Sequence, residues 1–512
     1  MLAKVESRAV NGVRANAVDV EIDLSNGGMA AFSIVGLPDT ACREAIKRVA
    51  AAIRNSGFRI TSRRVTVNLA PANLKKEGTM YDLAIALGIL CALGKVPQAL
   101  LKDKVVCGEL SLDGSVRPIK GALVIADEVR SQNKELVIPG ENITELADLK
   151  DIRLIPVSSL NQLIYYLLEG GSVKLPLAKK YNVKNRQNVF FDYSSIKGNS
   201  HAKRALEVAV SGGHNIMLIG PPGVGKTLMA RSLPGIMEYL DEEEAIETSK
   251  IYSIAGLLST SGRGLIKIPP FRILHHSISG AGMIGGGSII KPGEISLAHN
   301  GVLFLDEATE FRRDVLESLR LPLEEGVIRL SRANSTVIYP SKFMLVAAMN
   351  PCPCGYLTHP EKECNCSSIQ IQKYLSKISG PLLDRIDMHI ELFPIQYEQM
   401  RSTDKLEFSR DIRKRVVSVR ALQKDRYKGR KFRLNSQLPH SLVNDTCKLT
   451  EDANILFRNA MKELFMSARA YDKVLKIART IADMRESELI EEDDISEAIG
   501  YRRLDTKMWL GD

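Results

Sequence analysis

The sequence predicts an α/β protein in three parts: an N-terminal α/β domain over residues 1–170, a central phosphate-loop α/β domain over 192–395 and a C-terminal helical domain over 396–512. Three observations predict it. Gly220-Pro221-Pro222-Gly223-Val224-Gly225-Lys226-Thr227 fits G-x-x-x-x-G-K-[ST] and follows the apolar run Asn215–Ile219. A second apolar run, Gly301–Leu305, ends in Asp306-Glu307, as a Walker B strand does. Beyond 396 the spacing of apolar residues turns helical.

The N-terminal elements follow from periodicity. Val18, Val20, Ile22 and Leu24 alternate with Asp19, Glu21 and Asp23, the pattern of a half-buried strand. Asp39 to Ser56 has helical spacing that stops at Gly57, Arg64 to Leu69 reads as a strand, and Tyr81 to Leu93 as a helix. Asp113-Gly114 between short apolar runs signals a hairpin. Residues 171–191, with Gly171, Pro176, Lys179, Lys180, Lys184 and Arg186, have linker composition.

In the central domain each residue type of the phosphate loop has a mechanical reason. Its glycines turn backbone N–H groups toward phosphates, Lys226 reaches the β- and γ-phosphates, and the Thr227 hydroxyl completes a magnesium shell. An apolar strand buried on both faces suits a parallel sheet, whose ligands bind at the carboxyl ends. There Asp306 is expected to hold magnesium and Glu307 to orient and deprotonate the attacking water. The expected ligands are therefore a nucleoside triphosphate and Mg2+. Two insertions stand out. Phe271 to Asn300 carries His275-His276 and the run Gly285-Gly286-Gly287, which suggests a mobile loop. Val327 to Tyr339 reads as a hairpin tipped by Arg329, Arg332 and Asn334.

Bulk numbers set bounds. With 512 residues and 45% hydrophobic content the chain is expected to hold about three folded domains. The net charge of +10 permits a nucleic-acid partner without demanding one. Leu83 to Leu93, the longest apolar stretch, is too short to span a bilayer, and no basic-then-apolar leader pattern opens the chain, so a cytoplasmic protein without membrane contact is expected. In the C-terminal helical domain, Arg410 to Arg433 concentrates basic residues around Tyr427 and Phe432; it reads either as a phosphate-backbone contact or as a solvated helix face.

Four of the eight cysteines crowd into Cys352-x-Cys354 and Cys364-x-Cys366. Two pairs of soft ligands suit a tetrahedral Zn2+, with free cysteines as the alternative. Four thiolates leave no open coordination position, so such a zinc would be structural.

The order of Gly213-His214-Asn215, the phosphate loop, His275-His276-Ser277, Pro292-Gly293-Glu294-Ile295-Ser296-Leu297-Ala298-His299, Asp306-Glu307, Asn350-Pro351 and Gly380-Pro381-Leu382-Leu383-Asp384-Arg385 resembles the magnesium-chelatase-like AAA+ ATPases of the ComM (YifB) type. The likeness covers essentially the whole chain. It implies that the first domain, with Gly36-Leu37-Pro38-Asp39, is similar to the proteolytic domain of Lon, and that the central insertions are of chelatase type. It further implies that Asn350 is the sensor-1 residue, Arg385 an arginine finger acting on a neighbouring subunit, and Arg469 the sensor-2 arginine of the lid. A hexamer follows, with Arg329 and Arg332 facing a pore that grips DNA. The implied activity is ATP-driven branch migration on single-stranded and branched DNA in natural transformation.

Two rivals are weighed. A motor subunit for metal insertion or protein remodelling shares the nucleotide domain, although about 190 residues of another fold precede it here. A Lon-type peptidase needs a serine and a lysine in contact. The similar stretch reads Glu77-Gly78-Thr79-Met80-Tyr81-Asp82, and the lysine position aligns with Leu123, near Lys120. A degenerate, non-proteolytic module is expected.

Overall fold

The computed structural model describes residues 2–25, 31–60, 64–170, 191–258, 264–287, 290–332, 335–395 and 407–502, with the side chains of Arg332 and Ser335 outside that set. The linker residues 171–190 lie outside the described residues. The chain forms two compact units, one of residues 1–182, 242–266 and 331–339, the other of 183–241, 267–330 and 340–512.

The first unit is built on a seven-stranded mixed sheet. Leu2–Asn11 and Arg14–Ser25 pair antiparallel, with Val5 opposite Val20, and Arg64–Ala70 continues antiparallel on the far side of the second strand. Lys104–Val106, Glu135–Pro139 and Arg153–Val157 extend the sheet in parallel on the other flank. Val18, Val20, Ile22 and Leu24 are all buried, as their alternation requires. Helix Thr40–Asn55 starts where the Asp39 carboxylate accepts from the Cys42 N–H at 2.7 Å. Helix Asp82–Ala92 is buried on every side. Its Gly88 permits close approach to the sheet, since a Cβ there would stand 2.7 Å from Ile22 Cγ1.

Helix Glu242–Ala255 also belongs to this unit. Its Ser253 carbonyl accepts from the Gly121 N–H at 3.1 Å, its Ser253 Oγ accepts from the Leu123 N–H at 3.3 Å, and Lys250 pairs with Asp127 at 2.5 Å.

The second unit holds a five-stranded sheet in the order Phe271–Leu274, Gly301–Leu305, Phe343–Met349, Ile216–Ile219, Met388–Glu391, every pair parallel. Alternate residues face opposite cores. Ile216, Leu218, Val302, Phe304 and Val346 point into one, and Met217, Ile219, Leu303, Leu305 and Leu345 into the other. Burial on both faces is why these strands read as unbroken apolar runs. The lid helices Ser409–Arg426, Glu451–Glu463 and Ala468–Met484 share the first of these cores through Val416, Phe457 and Val474.

Two sequence expectations change in detail. Phe271–Leu274, expected to open an insertion, is the outer strand of the sheet, because its parallel pairing with Gly301–Leu305 satisfies that edge. The glycine run is not only loop: Gly285–Gly286 pair antiparallel with Lys291–Pro292. The hairpin expected over 327–339 forms from Val327–Arg332 and Ser335–Pro340.

Candidate active site

The phosphate loop leaves the buried strand Ile216–Ile219 at Gly220, where a Cβ would lie 2.6 Å from the Leu392 carbonyl oxygen. Gly223 and Gly225 take left-handed φ values of +84° and +91°, turning the chain into helix Lys226–Ile236. The first two residues of that helix are Lys226 and Thr227, so both side chains stand beside the helix N-terminus, where an anion is favoured.

The Lys226 ammonium is folded onto the loop. It donates to the Gly220 carbonyl at 2.5 Å, the Pro221 carbonyl at 2.9 Å and Asn350 Oδ1 at 2.9 Å. Burial pushes its pKa down to about 8, against the opposing pull of Asp306 and Glu307. The Thr227 hydroxyl donates to Asp306 Oδ2 at 2.9 Å. Sheet order explains these meetings. Phe343–Met349 lies between the phosphate-loop strand and Gly301–Leu305, with Ile219 opposite Met349 and Leu305 opposite Ala347. Three adjacent carboxyl ends therefore deliver Lys226 and Thr227, Asn350, and Asp306 with Glu307 to one locus.

Glu307 is exposed, and its backbone is left-handed at φ +53°, ψ +54°. A non-glycine residue held there costs about 1–3 kcal/mol, and the turn into Ala308–Glu310 keeps it in place. The carboxylate is thus exposed just past the carboxyl end of strand Gly301–Leu305.

Arg385 and Arg469 are each held by a carboxylate. Arg385 follows helix Gly380–Leu383; its guanidinium pairs with Glu324 Oε1 at 2.6 Å and donates to the Pro381 carbonyl at 2.6 Å. Arg385 in turn holds the Glu324 carboxyl below its usual range. Arg469 enters helix Ala468–Met484 and pairs with Asp384 at 2.8 Å. Asp384, the partner of Arg469, directly precedes Arg385 in the chain. Glu324 was not singled out by the sequence, since Leu-Glu-Glu-Gly reads as an ordinary helix end.

The four cysteines come together. Cys352 Sγ lies 3.3 Å from Cys354 Sγ and 3.6 Å from Cys364 Sγ, and all four sulfurs fall within 4.8 Å of one another. A tetrahedral zinc with bonds of about 2.3 Å holds its sulfurs roughly 3.8 Å apart, so donor type and spacing both fit. The Tyr356 backbone N–H draws the Cys354 thiol down to about 6.

The basic candidates divide. Arg329 is exposed and pairs with Glu325, while the Arg332 side chain lies outside the described residues. Within 410–433 most cations are spent on the protein itself. Arg413 donates to the Gly235 carbonyl and Tyr239, Arg415 pairs with Glu207 and Glu407, Arg420 donates to the Val210 carbonyl, and Lys424, Arg426 and Arg433 pair with Glu238, Asp483 and Asp241. The contacts thus show a helix face paired within the protein, where the sequence offered a phosphate contact or a solvated face. His275 and His276 are exposed, with ring centroids 4.2 Å apart, beyond the edge strand Phe271–Leu274.

At the stretch similar to a peptidase site, the Thr79 hydroxyl donates to Glu109 and Asp82 takes the Arg48 guanidinium at 2.8 and 3.1 Å. Leu123 is fully buried and Lys120 is exposed.

Comparison with known proteins gives matches along nearly the whole chain. Three family models match: magnesium chelatase subunit ChlI over 192–400, subunit ChlI of Mg-chelatase over 20–142, and the magnesium chelatase subunit ChlI C-terminal region over 406–502. The chain is 40% identical over 508 residues to the competence protein ComM of Haemophilus influenzae, covering 98% of each. It is 38% identical over 506 residues to the uncharacterized protein YifB of Escherichia coli K12, covering 98% of this chain and 97% of that one. A Lon protease of Trichlorobacter lovleyi is 27% identical over 193 residues, 34% of this chain and 23% of its own.

Proposed function

This chain belongs to the magnesium-chelatase-like AAA+ ATPases of the ComM and YifB type, and from that premise we propose that it is a DNA motor that promotes branch migration during recombination of incoming DNA in natural transformation. The observation that carries the motor half is the joined set at three adjacent strand ends, Lys226 with Asn350 and Thr227 with Asp306. In this reading residues 220–227 bind ATP. Thr227 and Asp306 hold Mg2+, which neutralises charge on the phosphate oxygens. Glu307 takes the proton of the attacking water, and Asn350 orients that water.

Arg385 serves the site of a neighbouring subunit in a hexamer, a role supported by its place just after helix Gly380–Leu383, where Glu324 holds its guanidinium. Arg469 acts as the sensor of the lid. Cys352, Cys354, Cys364 and Cys366 hold a structural Zn2+, supported by the spacing of their sulfurs. The first unit is a Lon-like module without peptidase chemistry, and the protein works in the cytoplasm; no described helix is long and apolar enough to cross a membrane.

DNA as the substrate is supported by the competence protein it resembles across the full length and by exposed Arg329 on the hairpin. The test is ATP-dependent strand movement through a three-stranded branched DNA by wild type and Glu307→Gln. Migration by wild type alone, with ATP binding retained in the variant, is the expected result. ATP hydrolysis indifferent to every DNA offered would overturn the DNA reading and favour a metal-insertion or remodelling motor.

A further inference from the structure

The cysteine loop does more than connect Asn350 to the helix after it. Gly355, at φ +83°, closes a turn in which its N–H donates to the Cys352 carbonyl at 3.0 Å. A Cβ added at Gly355 would stand 2.8 Å from Pro222 Cδ in the phosphate loop and 3.9 Å from Asn350 Cγ. The loop therefore rests directly on the segment that wraps the phosphates. Cys352 is fully buried at this contact, and Asn350, Cys354 and Cys366 line one cavity of about 640 Å³.

A second contact leaves the other end of the loop. Helix Ser368–Leu375 begins just after Cys366, and its Tyr374 hydroxyl accepts from the Thr309 hydroxyl at 2.6 Å, two residues past Glu307. The cysteine pairs thus sit at the two ends of a loop whose flanks touch the phosphate loop on one side and the Walker B turn on the other.

We propose that the four-cysteine loop is a metal-dependent support for the phosphate loop, so that Zn2+ occupancy at Cys352, Cys354, Cys364 and Cys366 sets the affinity for ATP. Binding displaces the remaining thiol protons and closes the loop 352–366 around one ion. With the loop closed, Gly355 bears on Pro222 and fixes the loop that Lys226 and Asn350 already clasp. Without the ion, the two cysteine pairs are free to part and Pro222 loses its backing. The inference rests on the phosphate loop being the ATP site.

The test uses the full chain, zinc content by elemental mass spectrometry and the Kd of a fluorescent ATP analogue. As purified, or after addition of zinc sulfate, one zinc per chain is expected. Removal by a chelator is expected to weaken nucleotide binding about tenfold, with recovery on re-adding zinc. Cys364→Ser/Cys366→Ser is expected to lose both the zinc and the tight nucleotide binding. Gly355→Ala is expected to keep the zinc yet weaken nucleotide binding, which separates the contact from the metal and covers the case in which the cysteine variant fails to fold. Zinc-free protein that binds the analogue with unchanged Kd, or a chain that takes up no zinc, overturns this proposal alone. Zinc-loaded wild type that binds no nucleotide overturns the phosphate-loop reading and this one with it.

Discussion

The Thr227 hydroxyl donates to Asp306 Oδ2 across 2.9 Å, joining the first turn of the phosphate-loop helix to the acid that follows strand Gly301–Leu305. Residues 79 positions apart meet because only one strand, Phe343–Met349, separates their two parallel strands in the sheet. In the proposed site these two side chains would hold the divalent ion. Thr227→Ala and Asp306→Asn should each raise the magnesium concentration needed for half-maximal ATPase activity and lower turnover by about 10²-fold or more. A magnesium titration of the two variants checks this; unchanged magnesium dependence removes both residues from the metal site.

Glu307 should separate binding from turnover. Glu307→Gln keeps the shape of the side chain and loses the base, so ATP hydrolysis should fall by about 10²–10⁴-fold while analogue binding stays within twofold or so. Single-turnover hydrolysis measured beside equilibrium binding shows the split, and parallel loss of both would sink the assignment.

Lys226 gives a pH dependence with a definite sign. Its pKa is lowered to about 8 from 10.5 by burial, so the free protein loses the ammonium as pH rises through about 8. A bound polyanion favours the charged form, so nucleotide binding takes up a proton above that pH, and affinity should fall by up to about tenfold per pH unit there. Stability of the nucleotide-free protein moves oppositely. The unfolded chain binds more protons between about 8 and 10.5, so this group's contribution is complete above 10.5 and is lost as pH falls through about 8. Binding titrations from pH 7 to 9.5 should show the slope in wild type and not in Lys226→Met.

Arg385 and Glu324 should behave as a finger and its holder. Arg385→Ala is expected to lower turnover about 10³-fold or more, with nucleotide affinity kept. Mixing it with Glu307→Gln subunits should restore some activity, because each supplies what the other lacks. Glu324→Gln loosens the guanidinium and should cost about 10–100-fold in kcat, with Glu324→Asp recovering part of it. Absence of complementation in the mixed assembly would place Arg385 outside any shared site.

Arg426 should prove structural. It pairs with Asp483 at 2.5 and 2.8 Å, and Asp483 is 1% exposed while also accepting from Arg479 and Asn435. Arg426→Ala should cost about 3 kcal/mol in a urea unfolding experiment. Exposed Lys431, by contrast, should tolerate alanine within about 0.5 kcal/mol. Equal stability of the two variants contradicts the paired-face reading.

Much of this protein was written in local sequence. The glycines of 220–225, the lysine and threonine after them and the acids closing an apolar run declare a phosphate site, because each residue type answers a steric or ionic demand over a few neighbours. Burial on both sheet faces left unbroken apolar runs at 216–219 and 301–305, so those strands were legible as well. The cysteine pairs announced a soft-metal donor set by type and spacing alone. Tertiary structure decided what depends on distant residues meeting. Periodicity could not assign helix Glu242–Ala255 to the unit containing Gly121 and Asp127, because a helix face carries no address for its partner. Nor could a basic run reveal its carboxylates: Glu207, Glu238 and Asp483 reach it only through packing. The contact of Gly355 with Pro222 belongs to the same class, since 133 positions separate the two and only the parallel order of the strands brings their loops together.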